Sequence, residues 1–228
     1  MTTPTRIKNK GREAEPVLVV GSVAYDSIVT PHDKGERILG GSAAYACLAA
    51  SYFAPPRIVG VVGHDFRDRD RNKLAKRGID LDGLLTDSSG RTFFWRGRYH
   101  ENYNRRDTED LQLNVFERFQ PRLPAPYKHP DIVCLDVMMP GLNGYEVCKQ
   151  IRANPEARDL PVVMISGHGN IETAVMALQR GAYDFIEKPF KSDRLVVVVQ
   201  RALEASSLKR ENKRLRAQVA APSGFIGR

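Results

Sequence analysis

The chain has 228 residues, a hydrophobic fraction of 42% and a formal net charge of +8 at pH 7. These values support a folded core, either as one large α/β domain or as two small ones. The basic excess is split between the first half and the terminal helical segment, so we expect no DNA binding from this chain alone. No apolar run is long enough for a membrane span and the amino terminus has no apolar core, which predicts a soluble, cytoplasmic protein.

The first half of the chain alternates strand and helix patterns after a polar leader. Residues 1–15 are polar and are expected to be disordered. The apolar run 17–22 predicts a buried strand, and the glycines at 40 and 41 open an alanine-rich helix. Three further elements are expected in chain order: a buried strand over 57–63, a charged helix over 68–77 and a half-exposed strand over 92–99.

A proline-rich stretch at 121–126 indicates a linker, and three apolar runs follow it. Each run has strand length and ends in one polar residue, namely Asp136, Ser166 and Lys188. Helical patterns separate the runs, which is typical of buried parallel strands in a Rossmann-like sheet flanked by helices. Such sheets place functional groups at the carboxyl ends of their strands, so a carboxylate, a hydroxyl and an ammonium should meet at one edge.

This order and spacing resemble the receiver domain of two-component response regulators. The resemblance is carried by Leu-Asp-Val-Met-Met-Pro-Gly at 135–141 and Glu-Lys-Pro-Phe at 187–190. It implies a flavodoxin-like receiver portion in the carboxyl-terminal half, with Asp136 as the phosphoacceptor and a sensor histidine kinase as partner. Lys188 would neutralise the phosphoryl oxygens, Ser166 would donate a hydrogen bond to them, and Phe185 would rotate as the switch residue.

The same resemblance implies a magnesium ion, which the family holds with the phosphoacceptor, a backbone carbonyl two residues later and an acidic pair. The carbonyl would be that of Met138. The only early strand that could supply the acidic pair ends in Gly21 and Ser22. We therefore expect Asp136 and Met138 to bind Mg²⁺ weakly and phosphorylation to be impaired.

The segment 16–127 resembles the amino-terminal half of ribokinase-like (PfkB) sugar kinases. The carrying motifs are Gly-Ser-Val-Ala-Tyr-Asp at 21–26, the paired glycines and Val-Gly-Val-Val-Gly-His-Asp-Phe at 59–66. By this resemblance Asp26, Gly40 and Gly41 would hold sugar hydroxyls. The catalytic half of that family has no counterpart here, so sugar kinase activity is not expected.

The remaining chain is expected to be a partial receiver over 128–205 and a helical linker and tail over 206–228. The similarity to receivers of the transcriptional activator class extends from 129 to 219 through this linker. Leu208 and Leu215 lie one heptad apart, which is consistent either with a homodimer seam or with a solvated helix end.

The interpretation we favour is a receiver for phosphorelay signalling, phosphorylated on Asp136. The alternatives are a carbohydrate kinase fragment that lacks its catalytic half, and an inactive fusion of the two half-proteins. The segment that resembles sugar kinases and the segment that resembles receivers meet near residues 127–130.

Overall fold

The computed structural model describes residues 16–52, 54–101, 105–127, 130–141, 143–167, 171–188 and 192–220. The expected leader 1–15, the Pro-Phe end of the motif at 187–190 and the terminal residues 221–228 lie outside these described residues. None of the described helices is both long and apolar enough to cross a membrane.

The first half contains seven strands and two helices among its described residues. In chain order these are β1 (Val17–Val20), β2 (Ala24–Val29), β3 (Lys34–Gly40), α1 (Ser42–Ala50), β4 (Pro56–Gly63), α2 (Asp68–Ala75), β5 (Asp80–Asp87), β6 (Phe93–Tyr99) and β7 (Arg106–Gln112).

The second half continues the same alternation of strand and helix. Its elements are β8 (Ile132–Asp136), α3 (Gly144–Ala153), β9 (Val162–Ser166), α4 (Ile171–Gln179), β10 (Asp184–Glu187) and α5 (Ser192–Ala220). Two short 3₁₀ turns, Asn114–Arg118 and Ala125–Tyr127, lie at the end of the first half, between β7 and β8.

A single six-stranded parallel sheet takes strands from both halves, in the order β10-β9-β8-β1-β4-β5. The junction between the halves is the pairing of β1 with β8, where Val17 to Val20 stand opposite Ile132 to Leu135. All four residues of β1 and all five of β8 are buried, because helices cover both faces of the sheet. The expected Rossmann-like α/β architecture is therefore confirmed, and the halves share one sheet.

Two apolar layers hold this sheet. On one face α1, α2 and α5 pack against alternate strand residues such as Val19, Ile58 and Cys134. On the other face α3, α4 and the 3₁₀ turns cover residues such as Leu18 and Leu135. Helices from both halves thus contribute to one core, and α1 also packs directly against α5.

A second, four-stranded sheet has the order β3-β2-β6-β7 and is mixed, with β2 parallel to β6 and the other pairs antiparallel. The sequence predicted only β6 of these strands. The strands β3 and β7 are polar and largely exposed, so they have no apolar run by which they could be recognised.

The proline-rich segment is held against the first half rather than standing free. Tyr127, at its end, is fully buried and donates a hydrogen bond from its hydroxyl to Asp80 Oδ1 at 2.5 Å. The guanidinium of Arg57 donates to the Pro126 carbonyl at 2.8 Å. These contacts fix the chain where it passes from one half to the other.

Candidate functional site

The carboxyl ends of the central strands form the edge at which the predicted residues meet. Asp136 is the last residue of β8, Ser166 is the last residue of β9, and Lys188 directly follows β10. Because the strands are parallel and adjacent, these positions lie side by side. The structure therefore brings the sequence-predicted carboxylate and ammonium into direct contact.

The Asp136 carboxylate is bridged by Lys188. The Lys188 ammonium lies 3.0 Å from Asp136 Oδ1 and 2.9 Å from Oδ2. The Asp136 side chain is only 2% exposed, whereas that of Lys188 is 24% exposed. An ion pair of this kind supplies a fixed positive charge next to the carboxylate oxygens.

Two serines of the first half complete the surroundings of Asp136. Ser42 Oγ, at the first position of α1, donates a short hydrogen bond to Asp136 Oδ2. Ser22 Oγ, which follows β1, reaches the same oxygen at 3.4 Å. The backbone N–H of Met138 donates to Oδ1 at 3.2 Å.

Ser42 and Ser22 were not predicted as site residues. Ser42 follows a glycine pair at a helix start, and Ser22 follows a strand. Neither serine can be recognised as a site residue from its local sequence, because its role depends on the neighbouring strand β8. The pairing of β1 with β8 is what brings both hydroxyls to Asp136. The only signal in the sequence was that Ser22 stands where the resemblance places an acidic residue.

Ser166 and Phe185 stand on the neighbouring strands β9 and β10, and both are buried. Ser166 is 1% exposed, and its carbonyl accepts the backbone N–H of Lys188 at 2.7 Å. Phe185 packs in the apolar layer on the α3 and α4 side of the sheet. Their roles in phosphoryl binding and switching remain predictions.

The predicted sugar-binding residues lie next to this site. A Cβ added at Gly40 would lie 2.1 Å from Asp26 Oδ2, so the carboxylate rests directly on the glycine. Gly41 has φ +91°, and a Cβ there would lie 2.4 Å from the Ser22 carbonyl oxygen. Both glycines are thus needed for a close approach of backbone and side chain.

Burial raises the pKa of Asp26 to about 6, while the Lys188 charge and the Gly41 backbone N–H act in the opposite direction. The influence of Lys188 shows that the two candidate sites are electrostatic neighbours. A residue from the second half therefore contributes to the surroundings of a carboxylate in the first half.

Receiver domains generally bind Mg²⁺ at the phosphorylation site, which requires several oxygen donors close together. The described residues contain no group of three or more His, Cys, Asp or Glu side chains that could hold a metal ion. A side chain at Gly21 has no room, because its Cβ would lie 2.8 Å from Ser42 Oγ and 2.9 Å from Asp136 Cβ. The residues present do not fit a tightly bound Mg²⁺.

The second half is similar in sequence to known proteins. Residues 123–200 match the response regulator receiver domain family. The nitrogen assimilation regulatory protein NtrX of Azorhizobium caulinodans is 53% identical over 104 residues, which cover 44% of this chain and 22% of that protein. The C4-dicarboxylate transport transcriptional regulatory protein DctD of Pseudomonas aeruginosa is 46% identical over 99 residues, which cover 43% and 21%.

The matched stretch therefore spans only about a fifth of each of these relatives. Among solved structures, the chain resembles a Methanocaldococcus jannaschii nucleoside kinase, described as an archaeal member of the ribokinase family. The TM-score is 0.52 at 16% identity, over 75% of this chain and 58% of that one. At this identity the likeness shows a shared fold.

Proposed function

We propose that this chain acts as a phosphorelay receiver in which Asp136 accepts a phosphoryl group. The observation that carries the proposal is the contact of the Lys188 ammonium with both oxygens of a carboxylate at a strand end. The match of residues 123–200 to receiver domains supports it.

In this reaction an Asp136 oxygen attacks phosphorus in line, and the electron pair of the broken P–O or P–N bond leaves with the donor. Lys188 neutralises charge on the phosphoryl oxygens, and the Ser166 hydroxyl donates a hydrogen bond to them. Phe185 then changes its packing. In this proposal, weak Mg²⁺ binding by Asp136 and the Met138 carbonyl is only an auxiliary contact.

The proposed partner is a sensor histidine kinase, and the proposed location is the cytoplasm. Relatives of the second half are regulatory proteins, which supports a signalling partner. A homodimer through α5 is part of the proposal, because Leu208 is 68% exposed and Leu215 is 49% exposed at heptad spacing. DNA binding by this chain alone is not proposed.

The test is labelling by acetyl phosphate at high magnesium, with the labelled residue mapped by mass spectrometry. Asp136→Asn should abolish labelling because an amide is a far poorer nucleophile than a carboxylate. Lys188→Ala should slow it roughly a hundredfold, the size of effect seen when one preorganised charge is removed from a reacting centre. The matched control Asp159→Asn, at an exposed carboxylate away from the edge, should leave labelling unchanged. Labelling that survives Asp136→Asn would refute the assignment.

A second candidate function is carbohydrate binding without phosphorylation. The observation that favours it is the Asp26 carboxylate lying against Gly40 beside the Gly41 backbone N–H. Titration calorimetry with pentoses and nucleosides, compared between the wild type and Asp26→Asn, tests it. ATP turnover stimulated by any of these ligands would overturn the expectation that no sugar is phosphorylated. If the protein shows neither acetyl phosphate labelling nor ligand binding, the remaining alternative is an inactive fusion of the two half-proteins.

A further inference from the structure

Every lone pair of the Asp136 carboxylate faces a donor. A carboxylate offers about four acceptor sites on its two oxygens. Here Oδ1 receives Lys188 and the Met138 N–H, while Oδ2 receives Lys188, Ser42 and Ser22. Attack on phosphorus needs a free lone pair on an accessible oxygen, whereas here the lone pairs face donors and the Asp136 side chain is only 2% exposed.

The donor from Ser42 is held firmly in place. The backbone N–H of Ser42 donates to Ser22 Oγ at 3.1 Å, and the backbone N–H of Ser22 reaches Ser42 Oγ at 3.3 Å. The two hydroxyl oxygens lie 3.0 Å apart, and the Ala43 N–H donates to the Ser22 carbonyl at 2.9 Å. These reciprocal bonds join the first turn of α1 to the end of β1, directly over Asp136 Oδ2.

We propose that Ser42 is a positioning residue that latches Asp136 in an unreactive form, so that phosphoryl acceptance requires the first turn of α1 to release Oδ2. This inference rests on the proposed function and adds its regulation. Release of the first turn removes the Ser42 donor from Oδ2 and loosens the long contact from Ser22, which is bonded to the same turn. One lone pair of Oδ2 is then free to form a bond to phosphorus, and the electron pair of the broken bond leaves on the acetate of acetyl phosphate.

The turn that carries the latch also contacts the neighbouring candidate site. Gly41, directly before Ser42, offers its backbone N–H to Asp26, and Gly40 lies beneath the Asp26 carboxylate. A shift of this turn therefore alters both carboxylates together. The latch comes from the kinase-like half, whereas the residue it restrains belongs to the receiver-like half.

The experiment measures the initial rate of acetyl phosphate labelling at Asp136 in the full chain. Ser42→Ala removes the donor and should raise the rate roughly tenfold, the lower range for loss of one hydrogen bond to a charged group. Ser42→Cys keeps the size of the side chain with a much weaker donor and should also raise the rate, which covers the case in which the alanine variant does not fold. Ser22→Ala, which removes the longer bond, should have a smaller effect.

Ser51→Ala is the matched control for a general weakening of α1, because its hydroxyl bonds the Leu48 carbonyl at the far end of the same helix. Melting temperatures of all variants are measured in parallel. Faster labelling in both Ser42 variants with an unchanged rate in Ser51→Ala supports the latch, and so does labelling that appears only once Ser42 is replaced. A wild type labelled at Asp136 no more slowly than the Ser42 variants overturns the latch alone. Absence of labelling in every variant overturns the proposed function with it.

Discussion

At the scale of single residues, the two candidate sites are linked by one lysine. Lys188 neutralises Asp136 by direct contact, and its charge also reaches Asp26. Burial is the largest influence on the pKa of Asp26 and raises it, while the Lys188 charge and the Gly41 backbone N–H lower it. Lys188 therefore joins the two candidate sites at one edge of the protein.

Asp26 predicts a specific pH dependence of stability. Its pKa rises from 3.8 to about 6 on folding, so the folded state binds more protons than the unfolded state between these values. The raised pKa of Asp26 therefore adds to the free energy of unfolding at low pH, by an amount on the order of 2 to 3 kcal/mol. This contribution is complete below about pH 4 and is lost as the pH rises through about 6. Urea unfolding at several pH values should show that the wild type loses stability relative to Asp26→Asn across this window.

Asp33→Asn, an exposed carboxyl in the turn between β2 and β3, is the matched control. A difference between the wild type and Asp26→Asn that stays constant across the window would contradict the assigned burial of Asp26.

At the scale of elements, the turn before α1 is the most constrained connection at the site. Gly41 adopts φ +91° as the residue before the helix, and the following Ser42 reaches β8 from there. The helix itself is short and rich in alanine, with seven of its nine residues buried. Packing therefore fixes the position of α1 on the sheet, while the backbone conformation of Gly41 fixes where its first turn begins.

Gly41→Ala should destabilise the protein by about 2 to 4 kcal/mol, because positive φ strain adds to a clash with the Ser22 carbonyl. Chemical denaturation measures this difference. Gly78→Ala separates the two causes, since Gly78 has φ +72° but nothing within 4 Å of an added Cβ. That variant should lose only about 1 to 2 kcal/mol. Equal losses in the two variants would show that the clash contributes nothing.

At the scale of the whole molecule, the two halves form one continuous sheet. β1 lies between β4 and β8, so the central strand pair joins the halves. The helices α1 and α5 pack on each other over this junction. Residues 128–228 alone would expose the edge of β8 and the apolar face of α5, which is an aggregation liability.

We therefore expect neither 16–127 nor 128–228 to fold alone, and the full chain to unfold in a single transition. Circular dichroism of the separate fragments and coincidence of near- and far-ultraviolet melting curves of the full chain measure this. Mixing the two fragments should restore part of the helical signal. Two separate transitions in the full chain would show that the halves are independent domains.

The sequence by itself predicted which strands are buried and which polar side chains stand at the ends of three of them. The runs that became β1, β4, β8, β9 and β10 were recognisable because strands buried on both faces are continuously apolar. Asp136, Ser166 and Lys188 were identified because one polar residue ends each of the last three runs.

Only the tertiary structure decided which strands are neighbours and, therefore, what surrounds Asp136. Strand pairing between β1 and β8 spans more than a hundred residues, and nothing local in either apolar run specifies its partner. The polar strands β3 and β7 are specified by pairing within the second sheet rather than by a burial pattern of their own. The hydroxyls of Ser22 and Ser42 became part of the site for the same reason, because their contact with Asp136 exists only once the two halves share a sheet.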